Sequence, residues 1–248
     1  MSGDAQSVAA MPARGALVAL EGIDGSGTTT QTRQLVDALV RGSATTPPLR
    51  AAATCEPSTG KLGRLLREAL AARPTLDPGA MALAFAADRL DHWAREVAPL
   101  LQQGIHVITD RYVYSSLAYQ SVLLPESWVF AINARAPEPL LTIYLQLDPQ
   151  VAARRREQRG QAAELYETEP IQRAVAARYD DLLGASMAAA SWQLAADGDW
   201  RRAGPLRQRH GRASEVAIVD AALPLAVVHE QIVRLVDTVL RSPPRPGE

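Results

Sequence analysis

Lysine and cysteine are almost missing from this chain: each occurs once, as Lys61 and Cys55. A single cysteine can neither close an internal disulfide nor build a cysteine-based metal site, and a reducing, cytoplasmic setting fits it. Aromatic residues are also scarce, 5% of 248. The core must therefore be assembled mainly from Ala, Leu and Val, which a hydrophobic content of 47% allows. Charge is balanced at a formal −1, which argues against a nucleic-acid partner or a polybasic membrane contact. No run approaches the ~18 apolar residues of a membrane helix. The opening MSGDAQSVAAMPARG lacks the charged and apolar regions of a secretory signal.

Residues 1–14 and 242–248 read as a disordered N-terminal segment and a disordered tail, leaving one domain over 15–241. Within it, apolar strand-like runs alternate with helical patterns. Strands are predicted at Ala16–Glu21, Leu49–Thr54, His106–Asp110, Leu141–Leu147 and Val216–Asp220. Helices are predicted at Thr29–Arg41, Lys61–Ala72, Met81–Gln103, Trp128–Arg135, Pro149–Arg159, Pro170–Ala189 and Leu225–Arg241. This alternation implies βαβ units: a three-layer α/β fold with a five-stranded parallel sheet and helices on both faces. Ligands bind such sheets beyond the strands' carboxyl ends. Those ends here carry Glu21-Gly22, Glu56-Pro57, Asp110-Arg111 and Asp148. The polar, Gly/Pro-punctuated stretch Gly198–Ser214 reads as a surface excursion.

The first strand runs into Gly22-Ile-Asp-Gly-Ser-Gly-Thr28-Thr29. The pattern Gly-x-x-x-x-Gly-Lys-Ser/Thr is matched everywhere but at the lysine, which is Thr28. Glycines let backbone N–H groups turn onto phosphate oxygens, and the following helix adds its positive end. Thr29 stands where a hydroxyl usually meets Mg²⁺, and Asp24 lies inside the loop. Three further stretches carry chemistry. LAFAADRLDH puts Phe85 and Arg89 on one helical face, a ring to stack on a planar base and a fork to hydrogen-bond it. VITDRYVYSSLAYQ delivers Asp110 and Arg111 to a strand end, followed by Ser115, Ser116, Tyr119 and Gln120. LDPQVAARRREQRGQ opens a helix with Asp148 as N-cap and crowds Arg154, Arg155, Arg156 and Arg159 together.

In order and spacing, EGIDGSG, EPSTGKLG, FAADR, TDRY with SSLAYQ, and TIYLQLDPQVAARR resemble the thymidylate kinase family of P-loop nucleoside monophosphate kinases, from about Gly15 to Leu240. The resemblance implies a P-loop NTPase fold with a small mobile lid at about 151–168, ATP and Mg²⁺ as cofactors, dTMP as substrate and a homodimer. Gly22, Asp24, Gly25, Ser26, Gly27, Thr28, Thr29, Thr30 and Arg154 would face ATP, with Thr29 and Asp110 near the metal. Phe85 would stack on thymine, Arg89, Ser116 and Gln120 would read its edge, and Tyr119, Tyr166 and Pro57 would pack around the nucleotide. Asp24 would meet the 3′-hydroxyl and Arg111 the dTMP phosphate. With Asp24, Asp110 and Arg111, the lid arginines Arg155 and Arg159 would serve phosphoryl transfer, two charges replacing the absent lysine; Lys61 is a second candidate.

The chain departs from the family pattern at Thr28, at Cys55 and Ser58 flanking Glu56-Pro57 where an arginine is common, at Glu164–Glu167 without an arginine before Tyr166, and in its long excursion near 198–214. Two other readings remain: a thymidine-nucleotide-binding protein without catalysis, and a kinase for another pyrimidine (deoxy)nucleoside or monophosphate.

Overall fold

Five parallel strands converge where the loop glycines begin. Leu17–Glu21 (β1) lies between His106–Asp110 (β3) and Leu141–Gln146 (β4). Ala51–Cys55 (β2) flanks β3, and Arg212–Asp220 (β8) flanks β4. The computed structural model describes residues 14–44, 46–71, 76–158, 168–184, 191–203, 207–209 and 212–242. β1 and β4 are apolar without alternation because helices cover both faces; every residue of β1 is buried. β2, at the sheet's edge, is Ala-rich and only partly buried.

The sheet has more than the five predicted strands, and it is mixed. Trp192–Leu194 (β5) joins β8 in parallel, and Trp200–Arg202 (β6) returns antiparallel to β5; Arg207–Arg209 (β7) pairs antiparallel with β8. Part of the stretch read as an excursion is thus sheet. The signal was two tryptophans separated by Asp197-Gly198, with Gly198 at φ 84 allowing the turn. Both rings are buried. Trp192 Nε1 donates to Glu215 at 2.5 Å, Arg202 Nε donates to the same carboxylate at 3.1 Å, and Trp200 Nε1 donates to the Gln231 carbonyl. Aromatic burial with paired polar tips stabilises this extension.

Thr28–Arg41 (α1) buries Leu35 and Leu39 and packs beside Leu225–Arg241 (α9). Lys61–Ala71 (α2) packs on Pro78–His92 (α3), whose N-cap Asp77 accepts from Gly79 and Ala80 N–H. The predicted helix Met81–Gln103 is helical throughout to Gln102 but not uniform. After α3 the register widens to a π turn over Trp93–Val97, then Ala98–Gln102 (α4) follows. Pro99 is the reason: it has no N–H for Arg95 and its ring crowds that carbonyl, so the Ala98 N–H reaches back to Trp93.

Val113–Gln120 (α5) was not foreseen. Seven of its eight residues are buried, so it shows no polar face for a helical period to reveal. Glu126–Asn133 (α6), Pro149–Glu157 (α7) and Glu169–Leu183 (α8) complete the described helices. α8 ends at its C-cap Gly184, φ 108; the rest of the predicted helix, to Ala189, lies outside the described residues. Among the described residues no helix is long and apolar enough to cross a membrane.

Candidate functional site

Beyond the carboxyl end of β1 the chain turns through Gly22–Gly27 into α1. Gly25 and Gly27 both hold φ 100, a conformation that favours glycine. Gly25 has a second reason: a Cβ there would lie 2.8 Å from the Ala152 carbonyl oxygen, so α7 seats directly on the loop. Gly27 caps α1 without a side-chain hydrogen bond. Gly27 thus offers no side chain to the first-turn N–H groups of Thr28, Thr29 and Thr30, the kind of helix terminus that can accept an anion. Thr28 is buried. Thr29 Oγ1 donates to Asp110 Oδ2 at 2.5 Å. Asp110 Oδ1 and Ser26 Oγ are buried with no hydrogen-bond partner among the described residues.

Arg111 follows Asp110 at φ 70, the only described non-glycine residue with positive φ. Its Nη1 donates to the Gly22 carbonyl (2.8 Å) and to Ser115 Oγ (3.2 Å), and its Nη2 to Asp24 Oδ1 (2.6 Å). Asp24 is clamped from the other side by Gln172, whose Nε2 donates to Oδ2 and whose Oε1 accepts from the Asp24 N–H. The carboxylate expected to meet a sugar hydroxyl thus also orders Arg111.

Glu21, fully buried, holds this corner together. It accepts from the N–H groups of Tyr112 and Ser115, from Ser115 Oγ, and from Tyr179 Oη. Tyr112 is the N-cap of α5 and supplies no side-chain cap, so a carboxylate from β1 caps that helix across the fold. Burial pushes the Glu21 carboxyl upward, and the bonds from Ser115 and the Arg111 charge hold it back. Gln172 and Tyr179 were not anticipated, and Glu21 reads from sequence only as a polar strand end, not as the hub of this corner. Their sequence positions carry no local signal of these roles, because each acts through a partner more than 80 residues away.

A cavity of about 140 Å³ opens beside the loop. Phe85, Pro57 and Leu70 supply apolar surface, Arg89, Ser116, Tyr119 and Gln120 line it as well, and Asp24 and Arg111 stand at its loop end. Phe85, Arg89, Ser116, Tyr119, Gln120, Pro57, Asp24 and Arg111 are thereby brought together as the sequence led one to expect. Arg89 is 2% exposed and heavily committed. It donates to Glu56 (2.8 Å), Asn133, the Tyr112 carbonyl (3.1 Å) and Ser116 Oγ (3.0 Å). Gln120 Oε1 is a buried acceptor with no partner among the described residues.

The thymidylate kinase family model matches residues 20–191, well over half of the chain and the whole of this site. The chain belongs to the thymidylate kinase family. It is 33% identical over 226 residues to a protein of Pyrobaculum calidifontis described as a probable thymidylate kinase, covering 91% of this chain and 97% of that one. It is 35% identical over 176 residues to the thymidylate kinase of Danio rerio, covering 68% and 77%. Among solved structures, the thymidylate kinase of Candida albicans superposes with a TM-score of 0.67 at 24% identity, over 91% of this chain and 92% of that one, which shows the fold.

In this thymidylate kinase family member the arginines of α7 diverge. Arg154 is exposed. Arg155, expected at the phosphates, donates to the Ala221 carbonyl beyond β8 at 2.9 Å. Arg156, named from sequence as one of the arginine cluster, donates to the Asp24 carbonyl of the phosphate loop at 2.5 Å. Lys61 is exposed at the head of α2. Arg159, Tyr166 and half of the predicted lid lie outside the described residues, as do most of the predicted N-terminal segment and the tail. No described group of three or more His, Cys, Asp or Glu side chains could form a metal cage. A nucleotide-bound Mg²⁺ does not need one, since it takes one or two protein ligands and fills the rest with phosphates and water. The unspent Asp110 Oδ1 beside Thr29 fits that requirement.

Proposed function

We propose that the protein transfers the γ-phosphoryl group of ATP to dTMP, giving dTDP and ADP. The observation that carries this reading is one continuous cavity. It joins an aromatic slot containing an unspent acceptor, Gln120 Oε1, to the Arg111–Asp24 pair on a phosphate-binding loop. Thymine's N3–H suits that acceptor, and Phe85 suits its face. Arg111 would hold the dTMP phosphate, Asp24 and Tyr119 would border the deoxyribose, and loop amides with the α1 terminus would hold ATP. Thr29 and Asp110 would hold Mg²⁺, which when bound neutralises charge on the phosphate oxygens. These residues position and neutralise, which is most of what phosphoryl transfer requires.

A coupled assay of ADP release with MgATP tests the reading. Turnover with dTMP is expected, with kcat/KM for dUMP lower by about 10- to 200-fold, as one missing methyl in an apolar pocket allows. Thymidine, lacking the phosphate for Arg111, should be inert. Thr28 favours one competing reading, a nucleotide-binding protein; absent turnover with dTMP binding intact in calorimetry would establish it.

The protein also acts as a dimer in this reading. Leu83, Ala87 and Leu90 lie at helical spacing on one face of α3 and are exposed, an apolar stripe suited to a second copy. Sedimentation should show a dimer for the wild type and a monomer for Leu83→Glu combined with Leu90→Glu. An unchanged mass for that variant would rule the stripe out.

A further inference from the structure

We propose that Arg156 brings to the phosphate loop the positive charge that Thr28 does not supply. The inference rests on the reading of the loop as an ATP site and names the residue that completes it. The loop's backbone amides carry only partial charges, and the position where this loop pattern has an ammonium holds a buried, neutral hydroxyl. The chain's single lysine does not replace it. Lys61 stands at the head of α2 beyond β2, and β3 separates β2 from β1 in the sheet.

α7 is different, because it is built onto the loop. Ala152 is fully buried, and its carbonyl fills the space where a Gly25 side chain would be. Arg156 follows four residues later, one turn along the same face, so its side chain is delivered to the same place. There its Nη1 meets the Asp24 carbonyl at 2.5 Å, while Arg154 stays in solvent and Arg155 turns to Ala221. Of the three arginines in α7, one is thus anchored on the loop. Arg111 meets the loop at other atoms, the Gly22 carbonyl and the Asp24 carboxylate. It thus stands against that carboxylate, whereas Arg156 reaches the loop at the Asp24 carbonyl. A guanidinium also suits phosphate oxygens better than an ammonium, through its planar fork.

Three substitutions in the full chain separate charge from mere anchoring. Arg156→Lys keeps the charge, Arg156→Gln keeps a hydrogen-bond donor for the Asp24 carbonyl without charge, and Arg156→Ala removes both. Each is measured for kcat with MgATP and dTMP, and for the calorimetric Kd of MgATP and of dTMP. Loss of a well-placed transition-state donor lowers kcat by about 100- to 1,000-fold. That loss is expected for both Ala and Gln, with weaker MgATP binding and dTMP affinity unchanged, while Lys stays within about tenfold of wild type. Gln matching wild type, or Lys falling as far as Ala, would overturn the charge role. So would Ala within a few-fold of wild type. The MgATP affinities score the proposal independently of turnover, so a wild type that binds both nucleotides but does not react would sink the kinase reading alone.

Discussion

Replacing Arg89 by alanine is expected to lower folding stability by about 3–5 kcal/mol, the usual cost of leaving one member of a buried ion pair behind. Arg89 and Glu56 are 2% and 3% exposed in their side chains, 2.8 Å apart. Truncation strands Glu56 in the interior and strips Asn133, Ser116 and the Tyr112 carbonyl of a donor at once. Denaturant midpoints would show it, and Arg89→Met with Glu56→Gln should recover much of the loss by removing the orphaned charge.

The same network gives the stability a pH dependence. Thr54 donates its one hydroxyl proton to Glu96, so its oxygen accepts from His92 Nε2, while His92 Nδ1 faces Glu56 at 3.4 Å. Both ring nitrogens therefore face acceptors, an arrangement that favours the charged imidazole. Burial works against that charge, but the bond and charge of Glu56, with Glu96 and Asp88, outweigh it and raise the His92 pKa. A raised folded pKa stabilises fully below the ordinary histidine value and fades as pH climbs through the raised one. In Arg89→Ala, where His92 is the cation left beside Glu56, stability should fall more steeply above pH ~6.5 than in the wild type. A parallel pH profile for the two proteins would show that His92 is not coupled to Glu56.

How far the sequence reaches depends on whether a residue's job is local. Glycine turns, strand ends and helix faces are local, so the loop, Asp110-Arg111 and the Phe85/Arg89 pair could be placed before any fold was known. What escaped detection acts at a distance or lacks contrast. Glu21 reads as the last residue of a buried strand, yet it caps α5 more than 90 residues away. α5 itself is too uniformly buried to show a period. The arginines after Asp148 were visible as a cluster, but which of the three in α7 turns to the loop depends on how α7 seats on Gly25. The hairpin of β5 and β6 was masked by its polar composition, and two buried tryptophans were the clue.

Arg111→Ala should do the opposite of Arg89→Ala, sparing the fold and removing function. The Gly22 carbonyl and Asp24 Oδ1 lose a donor at the loop end of the cavity, but Asp24 keeps Gln172, Ser115 Oγ keeps Tyr179, and Glu21 beside them keeps all four donors. What disappears is the cation between loop and cavity, and kcat/KM for dTMP should fall by about 100- to 1,000-fold with MgATP affinity little changed. The alternative cause of such a loss is backbone collapse, since position 111 sits at φ 70. Glycine separates the two. An alanine at that φ carries about 1–2 kcal/mol of strain that glycine does not, so Arg111→Gly should be at least as stable as Arg111→Ala and equally poor with dTMP. Arg111→Lys, which keeps charge but not the fork that spans Gly22 and Asp24, should fall between them and wild type. Activity returning in Arg111→Gly would locate the defect in the turn, and Arg111 would then be a residue of the backbone rather than of the phosphate site.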